Sequence, residues 1–174
     1  PLALVAAAGS APSAPPRPRA PSTAFPEDRA TTLHRLFEPA AAEHPGESGV
    51  AYVRYGRAAL EGRLALADLA ERSLDLQYYI WDTDISGRLL ADRIVRAAER
   101  GVRVRILLDD IGIVGRDDAI ARLSAYPNIE IRAFNPFRGR SSRLGDFLSD
   151  PSRVNRRAHN KVMIADNAIG IVGG

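Results

Sequence analysis

His159 and Lys161 stand two residues apart, at the start of a run whose residue types favour an extended strand. If Asn160 to Ile164 is extended, side chains two apart project from one face of the sheet. Their Cα atoms would then lie about 6.5–7 Å apart, close enough for both side chains to reach one phosphate. Imidazole is a good nucleophile toward phosphorus when neutral, and its unperturbed pKa of about 6.5 leaves it largely neutral at pH 7. An ammonium beside it can bind non-bridging oxygens and stabilise charge that builds up in the transition state. Asp166 follows five positions after Lys161, at the strand end, where a carboxylate can cap the turn or hold basic groups in place. Each residue alone has a blander reading: a structural histidine, a solvated lysine, a turn aspartate. Their spacing together is what points to phosphorus chemistry, and Lys161 is the only lysine in the chain.

These residues need a scaffold, and the hydrophobic pattern supplies one. Leu74 to Trp81, Val102 to Asp109 and Ile129 to Phe134 read as strands. Between them, Ser86-Gly87 opens a helix to about Arg100 with an apolar stripe of Leu89, Leu90, Ile94, Val95, Ala97 and Ala98. Gly101 is its stop signal. Asp117-Asp118 opens another helix that ends before Pro127, with its carboxylates at the positive end of the helix dipole. This alternation is that of right-handed crossovers and a largely parallel sheet. Residues 135–152 read as loop, and strands at about 160–165 and 168–173 are joined by a hairpin turn near Asp166-Asn167. Upstream, residues 27–37 and 57–72 are helix candidates. The expected fold is an α/β architecture, a mixed, largely parallel β-sheet flanked by helices.

The 174 residues suffice for one domain with a sizeable core. With no cysteine, disulfides and thiolate-metal sites are excluded. The net charge is +3, but residues 1–26 hold Arg17 and Arg19 and no acid, so the rest carries 22 basic against 21 acidic side chains. A whole-domain basic field of the nucleic-acid-binding kind is therefore absent. Residues 1–8 resemble the end of a signal-peptide apolar region, and residues 9–26 form a Pro/Ala-rich linker. Both chain ends read as cut, so the expected organisation is a signal remnant and linker over 1–26, then a truncated domain over 27–174.

The stretch from His159 to Asp166, HNKVMIAD, resembles the H-x-K-x4-D signature of the phospholipase D superfamily. Residues 74–112 and 153–174 resemble its cardiolipin synthase C-like branch, and Gly173-Gly174 falls where that family has a small-residue pair. The resemblance implies an N-terminal phospholipase D-like half-domain whose partner half, with a second motif, lies elsewhere in the full-length chain. It further implies that His159 attacks a phosphodiester and forms a phosphohistidine. Lys161 binds the phosphate, and Asp166 supports the architecture of the motif. The second motif's histidine protonates the leaving alcohol. No metal or cofactor is required. The implied substrate is a phospholipid at a membrane surface, and the implied location is membrane-associated and exported, at the cell envelope, with the cytoplasmic face as the other option.

Two rival functions remain at this stage. One is a single-motif phosphodiesterase or nuclease working as a homodimer, against which the near-neutral core charge counts. The other is a half-domain that only binds phospholipid headgroups. Two further features need placing. Asp82, Asp84, Asp109 and Asp110 fall near the C-terminal ends of two strands, where a Mg²⁺ site is conceivable but where acids also serve as strand ends and helix starts, with Asp84 to Gly87 resembling a capping turn. Arg138, Arg140, Arg143, Arg153, Arg156 and Arg157 form a basic patch beside the motif, suited to anionic headgroups or to solvation alone. Tyr78, Tyr79 and Trp81 read as core and sheet residues.

Overall fold

The structure is a computed structural model that describes residues 21–137, 145 and 148–173. The expected signal remnant, most of the linker, and Arg138, Arg140, Arg143 and Gly174 lie outside the described residues. The last part of the linker, 21–26, has no regular structure yet is held against the sheet. There the Ser22 carbonyl accepts from Arg105 Nη1 at 3.0 Å, and the Phe25 ring lies 3.5 Å from the Arg103 guanidinium carbon.

Three parallel strands and a hairpin build one five-stranded sheet among the described residues. Strands β1 (Ser73–Tyr78), β2 (Arg103–Asp109) and β3 (Ile129–Phe134) run parallel. The hairpin strands β4 (Lys161–Ala165) and β5 (Ile169–Val172) join antiparallel, giving the order β3-β2-β1-β4-β5. Helix α3 (Ile85–Glu99) and helix α4 (Asp117–Ser124) make the two crossovers. Helices α1 (Thr32–Glu43) and α2 (Gly56–Leu69) precede the sheet, and a one-turn helix α5 (Pro151–Val154), N-capped by Asp150, straddles the end of the segment expected to be loop.

One sheet face carries the core. Leu74 and Leu76, Val104, Ile106 and Leu108, Ile129 and Ile131, Met163 and Ala165 are all buried. Against them lie Leu66 and Ala67 of α2 and Leu90, Ile94, Ala97 and Ala98 of α3. Leu89, expected in that stripe, is largely exposed. The other face bears Asp75, Gln77, Arg105, Glu130 and Arg132 between the flanks of Val162 and Ile164. Period-two alternation separates the two sets.

Several boundaries differ from expectation for local reasons. Helix α1 starts at Thr32 rather than at residue 27, because its cap is Thr31, whose hydroxyl accepts from the His34 N–H, and it runs past residue 37 to Glu43. Helix α2 stops at Leu69, since the N–H groups of Glu71, Arg72 and Ser73 turn to the Asp166 carboxylate at 3.0, 2.7 and 3.0 Å. Strand β1 ends at Tyr78, as the chain leaves the sheet toward the Asp84 cap of α3. That cap matches the expected turn: Asp84 accepts from the Gly87 N–H at 2.8 Å and the Ser86 hydroxyl at 2.9 Å.

Asp166 sits in the hairpin turn, 3% exposed, with Asp166 and Asn167 both at positive φ, 53° and 54°. Asp and Asn tolerate this region better than other non-glycine residues. The turn is held by three backbone donors on one carboxylate and by the Asp166 N–H donating to the Ser73 carbonyl at 2.9 Å. Replacing Asp166 by Ala strands those donors in a buried place and should cost about 3 kcal/mol of stability, read from the urea midpoint. Hydrogen bonds from Gly87 and Ser86 hold the Asp84 carboxyl below the usual carboxylate range. Its folded pKa is depressed, so its contribution is full above the ordinary carboxylate pKa and is lost as pH falls through the lowered value. Asp84→Ala should therefore melt below wild type at pH 7, with the gap in Tm closing as the pH is taken well below that range.

Candidate active site

The C-terminal ends of the parallel strands and the start of β4 meet at one edge of the sheet. The register pairs Tyr78, the last residue of β1, with Lys161, the first of β4, and the Tyr79 N–H donates to the Asn160 carbonyl at 3.0 Å. Residues directly opposite in an antiparallel pair share a face. Lys161 thus lies on the helix-covered face with Tyr78, Met163 and Ala165.

The structure brings His159 and Lys161 together. Lys161 Nζ lies 2.9 Å from His159 Nδ1 and 3.2 Å from Nε2, and 3.4 Å from the His159 carbonyl oxygen. His159 is exposed and Lys161 half-buried. The ammonium donates to whichever ring nitrogen carries the lone pair, which depends on the tautomer. Asp166 is not part of this cluster. It closes the other end of β4, roughly 20 Å away at the strand rise. Its contacts are those of a structural clamp on the α2–β1 connection.

Tyr79 was read from sequence as a core or sheet residue, but it forms one wall of the site. Its ring centroid lies 4.5 Å from that of the His159 imidazole, with a 46° tilt, and 5.5 Å from Lys161 Nζ. Gly112, in the 3₁₀ turn Asp110–Ile113 after β2, presses on the Tyr79 carbonyl, where a Cβ would come to 1.8 Å. Tyr78 points to the helices, its hydroxyl accepting from Arg63 Nε at 3.0 Å, and burial pushes its phenol pKa up.

The four acids near the strand ends do not gather. Asp82 accepts from Arg116 Nη2 at 2.9 Å and from the Thr83 N–H, and these bonds hold its carboxyl below the ordinary range. Asp84 caps α3. Asp109 is fully buried and accepts from the Ile111 N–H at 3.0 Å, the Ala158 N–H at 2.8 Å and Arg157 Nη1 at 3.1 Å. Asp110 accepts from the Phe137 N–H at 2.9 Å. Among the described residues no three His, Cys, Asp or Glu side chains are grouped to hold a metal ion.

The basic patch also divides. Arg157 is buried against Asp109, and Arg153 is held by the Asn135 side chain at 3.0 Å and the Pro136 carbonyl. Of its described members only Arg156 is exposed, and Arg138, Arg140 and Arg143 lie outside the described residues. A groove of about 590 Å³ opens between α3 and α4. Trp81, Val95, Leu108, Ile120 and Leu123 line it, with Arg88, Arg116 and Arg122 among its polar members. Trp81 packs edge-to-face on Tyr78 at 5.3 Å, so the groove begins one aromatic ring from the residue paired with Lys161.

The fold is that of a phospholipase D-like domain. Residues 64–174 match the family described as cardiolipin synthase, PLD-like domain. Cardiolipin synthase C of Escherichia coli (strain K12) is 46% identical over 136 residues, 78% of this chain and 29% of that protein. A cardiolipin synthase of Geobacillus kaustophilus (strain HTA426) is 31% identical over 134 residues, 76% of this chain and 25% of its own. Among solved structures, NucT from Helicobacter pylori superposes on 64% of this chain and 62% of its own, with a TM-score of 0.46 at 22% identity. The chain belongs to the cardiolipin synthase PLD-like family, and it spans less than a third of the length of these curated relatives.

The Tyr79–His159 contact gives a direct test of the geometry. Tyr79→Leu should remove the ring-current shift on the His159 ring protons in a ¹H NMR spectrum while the far-UV circular dichroism stays that of wild type.

Proposed function

We propose that this chain contributes the nucleophilic half-site for phosphodiester transfer on a phospholipid at a membrane surface, in the manner of a cardiolipin synthase. The observation that carries this reading is the His159 imidazole and the Lys161 ammonium at 2.9 Å on the open edge of the sheet. A ring nitrogen of His159 attacks phosphorus, a P–N bond forms, and the P–O bond to one alcohol breaks. Lys161 turns its N–H donors to the non-bridging oxygens as their charge grows. The leaving alkoxide takes a proton from an acid outside these residues, which the two-half arrangement assigns to a second motif. An acceptor alcohol or water then attacks the phosphorus, forming a P–O bond as the P–N bond to His159 breaks, and its proton passes to the same outside group, now the conjugate base.

The groove beside Trp81 suits an amphiphilic substrate. Its lining is mostly apolar, its size lies within the usual range of ligand pockets, and Arg88, Arg116 and Arg122 put positive charge in its wall. No described helix is long and apolar enough to cross a bilayer. Membrane contact on this reading is made through the substrate surface, at the cell envelope.

The test uses the intact protein with vesicles of ³²P-labelled anionic phospholipid. An acid-labile adduct should form on wild type and be missing in His159→Ala. Lys161→Ala should slow turnover at least about 100-fold with the fold intact, since it removes a charge partner of the transition state. Full turnover in His159→Ala, or cleavage of single-stranded DNA with no action on lipid, would overturn the reading.

A further inference from the structure

We infer that Asp109 is a positioning residue for His159, acting through Arg157 and Ala158. The inference rests on the phosphohistidine reading and adds to it the element that sets the aim of the nucleophile. His159 itself precedes β4, so the ladder does not fix its ring. The two residues before it are fixed instead by one buried carboxylate at the end of β2. Asp109 Oδ2 accepts from the Ala158 N–H at 2.8 Å, and Oδ1 accepts from Arg157 Nη1 at 3.1 Å. Arg157 Nε donates onward to the Val154 carbonyl at 2.6 Å, tying α5 to the same point.

A second strap comes from the end of β3. Asn135, at φ 46°, donates through Nδ2 to the carbonyls of Arg153 and Arg156 at 2.6 and 2.8 Å. The whole approach to His159, residues 153–158, is thus fastened to the ends of two parallel strands. From the other side Tyr79, seated by Gly112, limits the ring. Asp109 is 0% exposed and the Arg157 side chain 11%, so neither reaches substrate, and both act on the reaction only through the placement of His159. A displaced nucleophile loses rate steeply, about 100-fold for a misplacement of about 1 Å.

The experiment is a rapid-quench measurement of adduct formation on the intact protein with labelled phospholipid vesicles at saturating surface concentration. Asp109→Asn keeps the side-chain size but turns one acceptor into an N–H donor facing an existing donor. The expected result is a burst rate constant about 10- to 100-fold lower, with burst amplitude per folded molecule and vesicle affinity within twofold of wild type. A residue that only stabilises the fold leaves the rate constant of the folded molecules unchanged and lowers only the total amplitude, in step with the unfolded fraction, and that result overturns the inference. If Asp109→Asn does not fold, Arg157→Gln decides in the same way, with an unchanged rate counting against the role. Wild type forming no adduct would remove the phosphohistidine reading itself, a failure distinct from an altered split between variants.

Discussion

The antiparallel seam between β1 and β4 is the constraint on which the rest of the site depends. The neighbouring strands β1, β2 and β3 run the same way, so their C-terminal ends form one edge. Because β4 runs against them, its first residue rather than its last arrives at that edge, opposite Tyr78. Had β4 joined in the parallel sense, Lys161 would lie at the far end of the sheet, beside the start of β1. The edge where a doubly wound sheet usually binds ligands is therefore also the edge where the histidine and lysine emerge.

Buried carboxylates secure both ends of this arrangement. At one end Asp166 gathers the N–H groups of residues 71, 72 and 73 and holds the hairpin to the entry of β1. At the other, Asp109 gathers Ala158 and Arg157. Both spend their acceptor capacity on backbone donors or a guanidinium, which is how a buried charge avoids an uncompensated desolvation cost. Between them, the side chains of exposed His159 and half-buried Lys161 meet each other and, among the described residues, the Tyr79 ring. The contrast separates the groups that hold the fold from those free to engage phosphorus.

Much of this was legible in the sequence, where local pattern dictates local structure. The alternation in IEIRAF places β3 at its observed limits, and VRVRILLD places β2 within a residue. The Asp84 cap and the Asp166-Asn167 turn also followed from side-chain chemistry. The strand alternation around Lys161 put it on the same side as His159. What was not legible arises from pairings distant in the chain. Asp109 and Arg157 were read as a strand-end acid and a member of a cationic surface, but 48 residues apart they form one buried ion pair. Tyr79 looked like core because nothing near it announces that His159 will pack on its ring. The local pattern carries helix α2 to residue 72, since its neighbours cannot reveal that an aspartate 95 positions later claims the N–H of Glu71.

The two anchors of β4 also explain why the spacing in the His-to-Asp segment is what it is. Asp166 must arrive at the mouth of the α2–β1 connection while Lys161 stands opposite Tyr78, and a pleated strand covers that span in a fixed number of steps. One residue more or fewer would leave an anchor unmet or turn Lys161 to the reverse side of the sheet, away from the imidazole. The interval in the signature is thus a ruler laid along the backbone, graduated in half-turns of the pleat.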